Sequence, residues 1–255
     1  MTRTRVGRVG GVGRITLARP EKKNALDRQM ADEIVQGLEQ LAADAETRVV
    51  VLDAEGDDFC AGADLEALEA LLDAPHDAQL DDARALGRVF TTIRRLPVPV
   101  IAAVRGRALA GGAGLATACD MVLAHPDAQF AYPEVRIGFV PAMVMTMLCR
   151  TVGLTRAFDL AVTGRMVSAA EAAAIGLVSR VLPSDGFADA VDDICRTIAK
   201  SPPDAVRRTK KLLYELDDMP FDSALGHGAH ANAEARTTEE FRRGVRKFLE
   251  RRRGP

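Results

Sequence analysis

No tryptophan occurs in the 255 residues, and phenylalanine and tyrosine make up only 4% of them. A base-stacking platform is excluded, because such surfaces are built from aromatic rings. Charge of one sign is also lacking: 34 Lys and Arg stand against 36 Asp and Glu, a formal net charge of −2. No global field therefore draws the chain to nucleic acid or to an anionic membrane. Cysteine is scarce, and Cys60, Cys119, Cys149 and Cys195 lie far apart with no CxxC pair. That argues against a disulfide framework or a zinc site and fits free thiols in a reducing compartment. The longest apolar runs, PVPVIAAV and FVPAMVMTMLC, are too short to span a bilayer. The basic start MTRTRVGRVGG lacks the apolar segment of a secretory leader. A cytoplasmic protein is expected, with neither nucleic acid nor membrane as a partner.

Several signature loops are missing as well. The stretch GRALAGGAGLATACD, residues 106–120, is rich in glycine but lacks GxGxxG spacing. No Gly-Lys-Ser/Thr follows a glycine loop, and GxSxG is absent, which removes a P-loop and the usual serine nucleophile elbow. His227 and His230 form HxxH without a further ligand set, so no metal site is expected.

What is present is an alternating pattern. Arg5–Val9 and Arg14–Ala18 flank Gly10-Gly11 and predict a hairpin. Leu26, Met30, Ile34, Leu38 and Leu41 recur at helical spacing after a polar loop. RVVVLDAEG, PVPVIAAV and MVLA read as short buried strands. Residues 73–82 (DAPHDAQLDD) read as an acidic, mobile turn region and 83–96 as an amphipathic helix. The glycine stretch reads as turn then helix, and FAYPEVRIGFVP as extended or turn-like. Ser168 is a candidate N-cap, and from about residue 187 the pattern is almost wholly helical. Strands alternating with helices, then helices alone, predict an α/β core over 1–187 and a helical C-terminal region over 188–255.

Two glycine loops, FCAGAD (59–64) and ALAGGAG (108–114), each run into a helix. The first N–H groups of a helix have no internal partner and carry the positive end of its dipole. Two such loops could each offer one N–H to an oxygen on which negative charge grows. Close helix–strand packing explains the glycines equally well at this stage.

The chain resembles the crotonase (enoyl-CoA hydratase/isomerase) superfamily over nearly its whole length. The resemblance rests on ITLARPEKKNAL (15–26), VVVLDAEGDDFCAGADLEAL (49–68) and VPVIAAVRGRALAGGAGLATACDMVLA (98–124). FAYPEVRIGFVP (130–141), LAVTGRMVSAAEAAAIGLVSRVLP (160–183) and EEFRRGVRKFLERR (239–252) complete it. It implies a spiral of ββα units with a helical C-terminal region that oligomerises and covers the active site, and a homotrimer or dimer of trimers. It implies an acyl-CoA thioester substrate, with coenzyme A part of the substrate and no separate cofactor.

Residue by residue, the resemblance makes the backbone N–H groups of Ala63 and Gly111 the oxyanion donors. The backbone of Ala61, Gly62, Ala63, Asp64 and Leu65 meets the adenine end of coenzyme A. Lys22 and Lys23 stand near its phosphates, and Lys247 could reach the nucleotide; solvated surface charge accounts for the first two equally simply, and for Lys247, in the run RKFLERRR, a solvated helix face is the simpler reading. Glu134 is the acid/base. Gly114 occupies the position where two-glutamate hydratases carry their other carboxylate. Leu65, Leu68, Leu71, Phe139 and Met143 are candidates for an acyl pocket or for core packing. Asp120, at the end of the glycine helix, is expected to cap or anchor backbone. One glutamate suits hydration of a 2-enoyl-CoA or migration of its double bond. A non-catalytic acyl-CoA-binding protein, or another reaction such as decarboxylation or thioester hydrolysis, also stays open.

Overall fold

The computed structural model describes residues 2–253. Its first elements are the expected hairpin, β1 (Thr4–Val9) against β2 (Val12–Leu17), and helix α1 (Arg28–Ala43). Asp27 caps α1 by accepting from the Met30 N–H at 2.8 Å. Then come β3 (Val49–Ala54), α2 (Leu65–Glu69), α3 (His76–Arg95), β4 (Val100–Val104), β5 (Arg107–Leu109) and α4 (Gly111–Ala118). β6 (Met121–Ala124) and β7 (Gln129–Ala131) lead to a 3-10 turn, Glu134–Ile137. α5 (Ala142–Val152), α6 (Leu154–Thr163), β8 (Val167–Ser168), α7 (Ala169–Ala174) and β9 (Arg180–Val181) follow. Helices α8 (Phe187–Ala199), α9 (Pro203–Leu216), α10 (Phe221–Thr237) and α11 (Glu239–Arg253) close the chain.

The strands form a six-stranded sheet in the order β1-β2-β3-β4-β6-β9 and a three-stranded sheet in the order β5-β7-β8. Only the β1–β2 pair of the large sheet is antiparallel. The central parallel strands β3, β4 and β6 are buried on both faces over most of their length, which explains their apolar runs. Val50, Leu52, Val100, Ala102 and Val104 face the main core under α1, α3 and α4. Val49, Val51, Ile101 and Leu123 face the other way, onto Val191 and Cys195 of α8. The chain beyond residue 187 thus first completes the core with α8, and α9 stays tied to it while α10 and α11 pack on one another and on α9.

Two readings of the sequence are corrected. Residues 76–82 are helical, the first turns of α3, with Pro75 at the cap; acidic residues suit a helix N-terminus, so acidity there did not mean a turn. The glycine stretch begins with a strand, β5, because Arg107–Leu109 finds a parallel partner in β7. FAYPEVRIGFVP, read as extended or turn-like, is both: it continues β7 and then turns as a 3-10 helix over Glu134–Ile137 after Pro133. Ser168 does cap α7, accepting from the Glu171 N–H at 3.2 Å.

Asp120 anchors more than one element. Its carboxylate accepts from the Val100 N–H at 2.6 Å and the Tyr214 hydroxyl at 2.6 Å, and pairs with Lys210 Nζ at 2.7 Å. Lys210 is buried and also donates to the carbonyls of Ile93 and Val98. This network ties α9 to β4 and to the end of α3, so that a buried ammonium has a full set of acceptors.

Candidate active site

The segment 60–64 is held between two others by main-chain hydrogen bonds. On one side Ala61 N–H donates to Lys23 O at 3.0 Å, Leu26 N–H to Gly62 O at 2.7 Å, and Asp64 N–H to Leu26 O at 2.9 Å. On the other, Cys60 N–H donates to Arg107 O at 3.0 Å and Leu109 N–H to Cys60 O at 2.9 Å. This alternation leaves the Ala63 N–H facing neither flank, and among the described residues it donates to no group. The Gly111 N–H, first of α4, is likewise undonated among the described residues. The two residues adjoin: a Cβ placed on Gly111 would lie 3.8 Å from the Ala63 nitrogen, with Leu26 and Leu86 methyls at 3.6 and 3.7 Å. The candidate oxyanion donors therefore sit side by side, next to the two leucines.

Glycine is required at residue 62. Its φ of +98° suits no other residue comfortably, and a Cβ there would meet Ala110 Cβ and Leu109 O, each at 2.9 Å. Ala110 itself has φ 49° and ψ −122°, a sparsely populated conformation for a residue with a side chain. Its N–H donates to Ala131 O at 2.8 Å, and its carbonyl accepts from Gly114 N–H at 3.0 Å. The strain is held by bonds on both sides, immediately before the Gly111 donor.

Glu134 reaches the same edge from β7. β5 and β7 run parallel with Leu109 paired to Ala131, so Gly111 and Glu134 leave the small sheet at the same end. The Glu134 side chain is buried at 8% residue exposure, and its Oε2 has no hydrogen-bond partner among the described residues. Burial pushes its carboxyl above the usual carboxylate range, opposed only by its own backbone N–H. The fully buried Tyr132 hydroxyl lies on the same segment, beside the Thr117 side chain. Burial raises its phenol above the ordinary value; Thr117 opposes this and the Glu134 charge adds to it.

The other sequence candidates are distributed differently. The Asp64 side chain is buried and occupied: it caps α2 by accepting from Glu66 and Ala67 N–H and pairs with Arg19 at 2.6 Å. Lys22, half-exposed, is paired with Glu66. Leu68 borders a small cavity of about 50 Å³ beside Ala63, which Leu26, Ala31 and Leu86 also line. Leu65 and Phe139 are exposed, and Met143 packs beside Gly87. Gly114 has no room for a side chain, since a Cβ there would lie 2.2 Å from Val144 Cγ1.

Sequence reasoning missed the residues that stiffen these loops. Asn24, fully buried and with φ 54°, donates to Glu55 O and Asp58 O and accepts from Arg19 N–H. Arg19 bridges Asp27 and Asp64, and Arg107 pairs bidentately with Asp58 at 2.6 and 2.8 Å. An asparagine after two lysines in a polar loop was the one local sign, because Asn tolerates the left-handed region. Cys60, beside the donors, is inert: burial pushes its thiol up to about 12.

Comparison with known proteins matches this chain to one family. The family model described as enoyl-CoA hydratase/isomerase matches residues 7–255. A Thermus thermophilus protein provisionally named enoyl-CoA hydratase is 41% identical, over 95% of this chain and 96% of that one. The Escherichia coli 2,3-dehydroadipyl-CoA hydratase is 32% identical, over 93% and 92%. The crystal structure of an enoyl-CoA hydratase from Mycobacterium smegmatis superposes with a TM-score of 0.93 at 34% identity, covering 98% of this chain and 96% of its own. The expected α/β spiral with its helical end is the architecture these proteins share. The chain belongs to the enoyl-CoA hydratase/isomerase family, the crotonase superfamily.

Proposed function

We propose that the protein is an enoyl-CoA hydratase that works with one side-chain acid/base. The observation that carries this reading is the pair of undonated N–H groups on the adjoining residues Ala63 and Gly111, at the sheet end where buried Glu134 emerges. The thioester oxygen of a 2-enoyl-CoA accepts from both. Water attacks C3 while Glu134 takes its proton, and the electron pair of the double bond moves to the thioester oxygen as an enolate. The enolate collapses as Glu134 returns the proton to C2, so one water is added in total. Charge on the oxygen is met by fixed dipoles, and each donor is worth on the order of 10²–10³ in rate. No separate cofactor enters this chemistry. The Ala61–Leu65 backbone and Lys22 face the coenzyme A part of the substrate.

The lack of a carboxylate at residue 114 favours one second reading: Glu134 shuttles a proton between C2 and C4 and moves the double bond. Loss of crotonyl-CoA absorbance, set against conversion of a 3-enoyl-CoA, separates the two. Hydration without double-bond migration is expected. Neither reaction together with no thermal shift on adding a CoA thioester would overturn both readings.

The chain assembles as a homotrimer or dimer of trimers. Support comes from apolar side chains left exposed on the outer helices: Phe221, Leu225, Phe241 and Phe248 at the C-terminal end, and Leu154 and Phe158 on α6. Four unpaired thiols support a reducing cytoplasmic setting. No described helix is long and apolar enough to cross a membrane.

A further inference from the structure

Gly114 stands one turn along α4 from the donor Gly111. In a helix interior alanine is ordinarily preferred to glycine. Here the space belongs to another element. A Cβ on Gly114 would lie 2.2 Å from Val144 Cγ1, 3.0 Å from Val144 Cβ and 3.3 Å from Phe90 Cζ. Val144 is 4% exposed on α5 and Phe90 is 5% exposed on α3. A helical valine has one strongly preferred rotamer, so its branch cannot swing away. Phe90, buried and large, bars the other direction.

We propose that Val144 is a specificity-determining residue of the active site: it fills the space a second acid/base side chain at residue 114 would need, and so holds the reaction to Glu134 alone. The inference rests on the acyl-CoA reading above. It also adds to it, because the single-carboxylate character then lies in the packing of α5 on α4 and not in the glycine alone. Gly114→Glu by itself would not install a second carboxylate.

A double-mutant cycle tests the space. Gly114→Ala is expected to lower Tm, against the helix preference, while the same change in a Val144→Gly background raises it. A Tm raised by Gly114→Ala in the otherwise unaltered chain overturns the proposal. Activity tests the chemistry. The Gly114→Glu/Val144→Gly pair is expected to hydrate crotonyl-CoA at least about tenfold faster than Val144→Gly, the low end of what a positioned acid/base supplies. Its pH–rate profile should gain a second ionisation. A folded pair that is no faster and titrates as Val144→Gly does shows packing only, and refutes the proposal. Should that pair fail to fold, Gly114→Asp/Val144→Gly carries the shorter carboxylate through the same measurement. The unaltered chain is the control: no turnover and no thermal shift with a CoA thioester refutes the acyl-CoA reading, while the Tm cycle still reports on the space.

Discussion

At the scale of single residues, the chemistry depends on groups that are costly to keep. Glu134 is buried with an unpartnered oxygen, and its carboxyl pKa is raised by that burial. A carboxyl with a folded pKa above its unfolded value holds its proton more tightly when folded. Stability is therefore lost as pH rises from the unfolded value, about 4.3, through the higher folded one. Glu134→Gln removes this penalty. At pH 7 the variant is expected to be more stable than the parent in urea unfolding, with the difference shrinking as pH falls toward 4.5. Its hydration rate is expected to fall by about 10²–10⁴-fold. Equal stability at both pH values, or an unchanged rate, would show that Glu134 is neither buried charge nor base. In the parent, kcat/KM should rise with pH through a value above that of an ordinary glutamate.

At the scale of elements, the site is made of short segments locked together. Residues 60–64 carry one oxyanion donor only because 23–26 and 107–109 consume the neighbouring N–H and carbonyl groups. Asp64 fixes the end of that segment by capping α2 and by pairing with buried Arg19. Asp64→Ala is expected to cost about 3 kcal/mol, combining a lost cap with a broken buried pair. Asp64→Asn should recover the cap and part of that loss. Chemical denaturation measures both, and a cost under about 1 kcal/mol would mean that the Arg19 cluster does not hold the loop. The glycine helix answers the same logic. Its first residue is bare because a strained Ala110 precedes it, and Gly114 is bare because Val144 occupies the space.

At the scale of the molecule, the sheet and α8 form a closed unit, while α10 and α11 pack chiefly on one another and on α9. Phe241, Val245, Phe248 and Leu249 of α11 are 40–60% exposed. A contiguous apolar face of this kind marks an interface. Light scattering should report three or six chains per particle. Phe248→Glu should reduce that number by placing a charge on the face. A monomeric parent would overturn the assembly. The Lys210–Asp120–Tyr214 network keeps α9 on the core, so the base of this outer region stays fixed.

The sequence by itself determined the elements and their chemistry. Period-two and period-3.6 patterns marked most strands and helices, and the glycine loops with Pro133-Glu134 marked the candidate donors and the candidate base. Those features are local: they reflect backbone conformation, capping and the residue types a reaction needs. It did not reveal β5, β8 or β9, because strands of two or three residues have no period and exist only through their partners. It did not reveal Arg19, Asn24 or Val144 either, since their roles lie in contacts with segments distant in sequence. Gly114 shows the division most clearly. The sequence shows that a carboxylate is missing there. Only the packing of α5 against α4 decides that none can fit, because a buried volume is filled once and Val144 fills it from another helix.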